Sequence, residues 1–329
     1  MTGLWKIRAI IKEFVPYYIL EKRRKYIFEQ ICIKYPKLKD IRNYFLGLNR
    51  DDQSLEIIEI IDYLEDYKIF YIPYEFISRY FSKKLNNIKY FYDIHCKMHF
   101  ILHKNKKMYF PEDWNIDNII ANYKMLSGEQ DAASPHRYET KEYTVQEGDV
   151  IADIGAAEGI WALTYAEKAA KIYLFECENK WIKALEKTFE PWKEKVVIVN
   201  KYISDKDDDR NVTLDTFFKD EKINFIKADI EGAEVELLKG AKSILSRTIN
   251  LSLILCAYHK NKDAQILKDI LEYNGFITEY SNRYMLNYFD KEIEKPYIRR
   301  GVIRGRKNMK SPSCLIAIND NAEKSKFIG

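Results

Sequence analysis

The stretch Val150-Ile-Ala-Asp-Ile-Gly-Ala-Ala-Glu-Gly-Ile-Trp161 constrains the fold more than any other part of the chain. Val150 to Ile154 read as a buried parallel strand carrying one carboxylate, and Gly155 lets the backbone turn without a Cβ clash. Gly159 then opens a helix whose unpaired N–H groups can receive an anionic group. A second strand, Lys171-Ile-Tyr-Leu-Phe-Glu176, ends on an acid at the spacing expected of a carboxylate that grips a ribose diol. Strand, glycine turn, helix, strand and acid together describe a cradle for an adenosine-containing cofactor.

The loop also says which cofactor. A dinucleotide site wants G-x-G-x-x-G so that the backbone can approach a pyrophosphate, and here Ala157 stands where the middle glycine would be. Asp153 would repel a diphosphate but suits a ligand that carries an ammonium group. S-adenosylmethionine fits better than NAD. The cofactor-binding set read from the residues is Asp153, Gly155, Ala157, Glu158, Gly159 and Glu176, with Asp229 joining it from a later strand.

Beyond Asp149 strands and helices alternate. Strands are predicted at 150–154, 171–176, 196–200, 223–229 and 251–257, and helices near 159–169, 179–189, 234–246 and 263–273. Repeated β-then-α units imply a doubly wound parallel sheet covered on both faces, with the ligand at the carboxyl ends of the strands. Residues 1–95 read as a smaller helical domain, including Ser54 to Leu64 and a helix from Glu75 to Leu85. Residues 96–147 read as a β-hairpin around Lys104–Lys106, a helix from Asp117 to Met125 and an irregular, lid-like segment. The α/β domain spans 148–320.

The block Asn224-Phe-Ile-Lys-Ala-Asp-Ile-Glu-Gly-Ala-Glu234 places Asp229 and Glu231 at a strand end just before a helix. Together with Asp-Ile-Gly-Ala-Ala-Glu-Gly, Phe-Glu176, Thr213-Leu-Asp-Thr216, Leu238-Lys-Gly-Ala241 and Tyr258-His-Lys260, in that order, it resembles the FkbM-type methyltransferase family over about residues 148–276. The resemblance implies a Rossmann-like, mostly parallel sheet of the class I S-adenosylmethionine-dependent kind. It also implies methyl transfer to oxygen on sugars or other small metabolites, with surface-polysaccharide synthesis as a common setting. Ser134-Pro-His-Arg-Tyr138 and Glu129-Gln-Asp131 border the active site in that reading. The first 95 residues lie outside the match, so the acceptor cannot be carried over.

Transfer to a hydroxyl requires the acceptor to lose its proton, so a carboxylate or imidazole must stand near the methyl group. Asp229, His259 and Glu231 are the candidates, with Asp229 or His259 favoured as the base. Each also has a structural reading: Glu231 as a helix cap, Asp229 as a cofactor ligand, His259 as a partner of loop backbone. An Asp/Glu/His set has residue types that hold Mg²⁺, although no ligand spacing marks a metal site. His136 and Arg137, with Arg299 and Arg300 from the cation-rich run Pro296–Lys307, are candidates for binding the acceptor. The more ordinary reading of that run is an edge strand guarded by charge.

Composition narrows the remaining classes. Hydrophobic residues make up 47% of the 329, which excludes general disorder, and no apolar run is long enough to span a bilayer. Without an apolar leader segment a cytoplasmic location is expected. Five scattered cysteines without a C-x-x-C pair read as free thiols. Residues 1–50 carry a net +8 against −4 for the remainder. Ile7, Ile11, Phe14 and Tyr18 recur at helical spacing among those cations, so a helix in residues 1–25 has the chemistry to rest on anionic lipid; docking on its own domain is the favoured reading, because Pro16 interrupts a long membrane-lying helix. No Asn/Asp-Pro-Pro-Tyr/Phe motif points to base methylation, and no nucleic-acid partner is expected. The partner is a small-molecule or glycan acceptor; oligomeric state is not legible. The alternative class is a noncatalytic module that binds cofactor while its helical region docks a polysaccharide-assembly partner.

Overall fold

The computed structural model describes residues 17–81 and 88–307. Its centre is a seven-stranded sheet built from β4 (Val150–Ile154), β5 (Lys171–Phe175), β6 (Val196–Val199), β9 (Phe225–Ala228), β10 (Leu251–Cys256), β11 (Ile277–Tyr280) and β12 (Val302–Lys307). The spatial order is β11-β12-β10-β9-β4-β5-β6. Strands β6, β5, β4, β9 and β10 run parallel, while β12 is antiparallel to both its neighbours. The chain moves outward from β4 to β5 and β6, then returns to place β9 on the other side of β4. That reversal opens a crevice at the carboxyl ends of β4 and β9. The fold is a Rossmann-like doubly wound, mostly parallel sheet, with helices at the N-terminal end.

Both faces of the sheet are apolar because both are covered. Ile151, Ile172, Leu174, Phe225 and Ile254 pack on one side with Trp161, Trp181 and Leu185. Ala152, Ile154, Phe175, Ile226 and Leu253 pack on the other with Phe218, Leu237, Leu245 and Leu267. The first layer also takes in a small antiparallel sheet, β1 (Tyr90–Asp93), β2 (Met98–His103) and β3 (Lys106–Tyr109). The expected hairpin therefore carries a third strand. A two-stranded piece, β7 (Tyr202–Ile203) with β8 (Asn211–Val212), completes the strands.

The helices are α1 (Tyr17–Lys34), α2 (Lys37–Leu46), α3 (Leu55–Glu65), α4 (Ile116–Glu129), α5 (Ile160–Thr164), α6 (Asn179–Thr188), α7 (Leu214–Phe217), α8 (Glu234–Lys239), α9 (Lys242–Arg247) and α10 (Asp263–Tyr273). The single helix expected over 234–246 is thus two. It breaks at Gly240, where the chain passes so close to Ser204 that a Cβ would stand 2.1 Å from its carbonyl oxygen. Helix α4 begins on Asn115, whose side chain accepts the Asn118 N–H, and runs a turn further than expected, to Glu129. Only a short 3₁₀ turn, Glu75–Arg79, occupies the described part of the segment expected as a helix to Leu85.

The run at 296–307 differs most from expectation. Strand β12 is interior, paired with β10 and β11, so it is not an edge guarded by charge. Its Arg304 is buried because three acceptors surround it: the Glu279 carboxylate at 2.9 Å and the carbonyls of Tyr138 and Arg137. The N-terminal helices are likewise not a free-standing unit. Ile41, Phe45, Ile60, Leu64 and Ile72 share one core with Met285, Leu286 and Ile293. The apolar positions Ile7, Ile11, Phe14 and the Tyr18 side chain lie outside the described residues, as does Cys314; the other four cysteines are free thiols. Among the described residues no helix is long and apolar enough to cross a membrane.

Candidate functional site

The crevice is built by two tight turns pressed together. After β4, Gly155 adopts φ +72°, and a Cβ there would lie 2.1 Å from the Asp229 carbonyl oxygen, so the loops after β4 and β9 touch backbone to backbone. Ala157 also has positive φ, and its N–H donates to Glu176 at 2.9 Å. The second Glu176 oxygen accepts the Glu178 N–H at 2.8 Å, which fixes this carboxylate at the end of β5 beside the glycine loop. Gly159 sits at φ +73° under Leu185 and Phe189. The helix that follows has only five residues, so little dipole is available there for an anion.

The charge beneath the loop comes from Lys227, which sequence reasoning missed. In the β4–β9 register Lys227 lies opposite Asp153, and its Nζ donates to Asp153 Oδ1 at 2.9 Å and to the Gly155 carbonyl at 3.1 Å. Burial works against that ammonium, but Asp153 and Asp229 outweigh it and hold its pKa well above the usual lysine range. The ammonium beside Asp153 Oδ1 is therefore the chain's own, while Oδ2 has no hydrogen-bond partner. The signal was a lone lysine inside the apolar strand Phe225-Ile-Lys-Ala228 facing a lone carboxylate in the apolar strand Val150–Ile154.

Asp229 is the hub of the site. Its Oδ2 accepts the Tyr138 hydroxyl at 2.9 Å and lies 3.5 Å from His136 Nε2, while Oδ1 lies 3.5 Å from His259 Nε2. Burial alone would raise its pKa; the hydrogen bond and charge of His136, with Lys227 and His259, hold it well below the usual carboxylate range. Each imidazole has a carboxylate at its other nitrogen. Glu129 Oε2 lies 3.9 Å from His136 Nδ1, and Glu234 Oε1 lies 3.3 Å from His259 Nδ1. Tyr71, from the N-terminal region, donates to Glu129 at 2.5 Å. The result is a buried row, Glu129–His136–Asp229–His259–Glu234, of which sequence reasoning named His136, Asp229 and His259 as site residues and placed Glu129 at the border of the site.

Glu231 does not join that row. Its side chain is 95% exposed on a residue with φ +56°, touching the site only through an Oε2 that lies 3.8 Å from His259 Nε2. Nor does it cap the following helix: Glu234 accepts the Ile230 N–H at 2.9 Å. Arg299 and Arg300 are absent from the cleft lining. Arg299 is buried and spends its donors on the carbonyls of Tyr258 and His259, on Asn261 and on Asp290, fixing the loop that bears His259. Arg300 stacks over Tyr284. The segment Ser134–Tyr138 does cross the site and is pinned there: a Cβ on Gly301 would meet the Pro135 carbonyl at 2.0 Å, and Ser281 donates to that carbonyl.

The cleft around Asp229 is lined by Glu129, Tyr138, Asp153, Gly155, Glu158 and Lys227, among others. Burial pushes the Glu158 carboxyl up to about 8, so it is a neutral donor below that pH. Beside it, sharing Gln130, Tyr138 and Trp161 as walls, lies a cavity of about 350 Å³ that also reaches Lys104, Arg137 and Tyr165. The groups converging on Asp229 include imidazole and thiol as well as carboxylate: Cys256 Sγ lies 3.8 Å from His136 Nε2. That donor set suits Mg²⁺ poorly, and Mg²⁺ is not supported.

Residues 200–284 match the model of the methyltransferase FkbM domain, a span that holds Asp229, Glu231, Glu234 and His259. Over that span the chain is similar to the methyltransferase FkbM domain. The glycine loop that completes its crevice lies upstream of the matched span. Among solved structures the chain is similar to a methyltransferase FkbM from Methylobacillus flagellatus KT, at 15% identity and a TM-score of 0.41, over 60% of this chain and 56% of that one. It thus spans little more than half of that structure's length. It is similar also to a precorrin-6y C5,15-methyltransferase from Geobacter metallireducens GS-15 (15% identity, TM-score 0.35, 51% of this chain and 84% of that one). An rRNA methylase from Streptococcus thermophilus is a further similar structure (15% identity, TM-score 0.35, 50% and 90%). No curated protein matches the chain's sequence.

Proposed function

We propose that this FkbM-domain protein is an S-adenosylmethionine-dependent methyltransferase that methylates a hydroxyl of a sugar or glycan precursor. The observation that carries the reading is the meeting of Asp229, its two flanking imidazoles and the glycine loop at the switch point of the sheet. Bound there, the cofactor supplies a methyl group already activated on a sulfonium. The chain's residues fit it. Glu176, held by two backbone N–H groups, keeps lone pairs for the ribose hydroxyls. Lys227 offers a buried positive charge to a carboxylate, and Gly155 admits no side chain between the loops. Asp229, which lines the cleft, and His259, 3.5 Å behind it, are the groups offered to take the proton of an acceptor hydroxyl.

The neighbouring cavity supports a polyhydroxylated acceptor, because Trp161 and Tyr165 supply ring faces while Gln130, Lys104 and Arg137 supply polar contacts. The setting in surface-polysaccharide synthesis and a cytoplasmic location belong to the same proposal, as does a small-molecule rather than nucleic-acid acceptor. Calorimetric titration with S-adenosylhomocysteine tests the foundation, with NAD as competitor and Glu176→Ala alongside. The nucleoside should bind wild type and lose at least tenfold in affinity in the variant. A preference for NAD would overturn the cofactor assignment. Wild-type biological effect retained by Asp229→Asn would favour the noncatalytic binding module instead.

A further inference from the structure

The row of groups through Asp229 offers three candidates for the proton acceptor, and their surroundings separate them. Asp229 accepts the Tyr138 hydroxyl and faces two imidazoles, which makes it a stable anion and a weak base. His136 is enclosed between Glu129, Asp229 and the Cys256 thiol. His259 differs in one respect: its Nε2 lies between Asp229, which lines the cleft, and the solvent-exposed Glu231. Of the two imidazoles, His259 is thus the one with a solvent-exposed carboxylate near its Nε2, at 3.8 Å.

On the far side of the ring stands Glu234, fully buried at the start of α8, with Oε1 3.3 Å from His259 Nδ1. That oxygen is anchored by the Ile230 N–H, while Glu234 Oε2 and both ring nitrogens of His259 are buried without a hydrogen-bond partner, so Glu234 is the carboxylate within reach of Nδ1. A buried carboxylate with spare acceptor capacity beside a ring N–H is the arrangement that fixes an imidazole tautomer. We propose that Glu234 is the positioning residue of the reaction proposed above: it holds Nδ1–H, so that Nε2 keeps its lone pair for the acceptor hydroxyl. The acceptor's O–H bond breaks as its oxygen forms the O–CH₃ bond. The S–CH₃ electron pair stays on sulfur, and the proton goes to Nε2. The imidazolium then lies between Asp229 and Glu234, two anions that favour it.

Other groups face the ring. Asp263, at the start of α10, accepts the Lys260 N–H; Lys260 Nζ is turned to the Gly232 carbonyl; Arg299 reaches the His259 carbonyl. Tyr258 stacks on the imidazole at 4.1 Å, and the His136 charge lies beyond Asp229. Burial disfavours the imidazolium and Glu234 favours it most among the opposing groups, with a net upward shift. Replacing Glu234 by a neutral residue therefore lowers the pKa of His259.

The test compares wild type, Glu234→Gln and Glu234→Asp, each full length. In ¹⁵N-histidine NMR above the titration of His259, wild type should show the Nδ1–H tautomer and Glu234→Gln a mixture, with an apparent pKa lower by about one unit. In turnover with the best acceptor from a panel of hexose glycosides and nucleotide sugars, Glu234→Gln should lose about 10²-fold in kcat. The acid limb should move to lower pH, the nucleoside affinity should stay within twofold, and Glu234→Asp should recover part of the rate. A Glu234→Gln enzyme with wild-type kcat and an unmoved acid limb overturns the proposal, as does an Nε2–H tautomer in wild type. This inference rests on the methyltransferase reading, yet the two fail separately. Absence of nucleoside binding sinks that reading, whereas the tautomer measured on the unliganded protein decides the role of Glu234.

Discussion

At the scale of single residues, the site is dominated by charge held where water is scarce. Glu158 lines the cleft, and burial raises its carboxyl from an ordinary 4.5 to about 8. Between those values the folded protein keeps a proton that the unfolded chain has lost, so stability falls as pH rises, by about 1.4 kcal/mol per unit, and levels off above the folded pKa. Glu158→Gln should abolish that slope. In urea unfolding at pH 5, 6.5 and 8, the variant's advantage over wild type should grow with pH; a constant difference would mean that Glu158 is ionised in the native protein. Lys227 and Asp153 make the complementary case. Neither residue alone announces an ion pair, and only the register that sets them side by side on adjacent strands turns two anomalous polar positions into one ion pair.

At the scale of elements, legibility followed the range of the forces involved. Strand β4 and helix α10 were read to the residue, because a run of apolar side chains or a helical period is written locally. The break between α8 and α9 depends on Ser204, distant in sequence, and was not legible. Nor was the interior place of β12: the run reads as an edge because the acceptors of Arg304, Glu279 and the carbonyls of Arg137 and Tyr138, come from elsewhere in the chain. The site divides the same way. Gly155, Glu176 and Asp229 sit in contiguous motifs, whereas Glu234's role toward His259 and Tyr71's toward Glu129 are made by the packing. Arg304 ties β12 to the lid, so Arg304→Met should leave the carbonyls of Arg137 and Tyr138 without their buried donor. Hydrogen exchange of amides 134–139 should quicken at least tenfold, and S-adenosylhomocysteine should bind more weakly. Unchanged protection there would show that Gly301 and Ser281 suffice to hold the lid.

At the scale of the whole molecule, the helical N-terminal region shares a core with the segment that leads into β12. Phe45, at the end of α2, is 1% exposed in a core completed by Met285, Leu286 and Ile293, which precede β12. The same region sends Tyr71 to Glu129, one end of the row that passes through Asp229. Its stability and the cofactor site should therefore be linked. Truncating the ring in Phe45→Ala leaves a cavity that costs about 3–5 kcal/mol. In a cooperative molecule that loss lowers one urea midpoint, seen alike by far-UV circular dichroism and by bound S-adenosylhomocysteine. Were the helices an independent domain, part of the helical signal would melt first while the nucleoside stayed bound at wild-type affinity. Coincident transitions would instead show that the region which the family resemblance leaves out unfolds together with the site, as the hydrogen bond of Tyr71 to Glu129 at one end of the row implies.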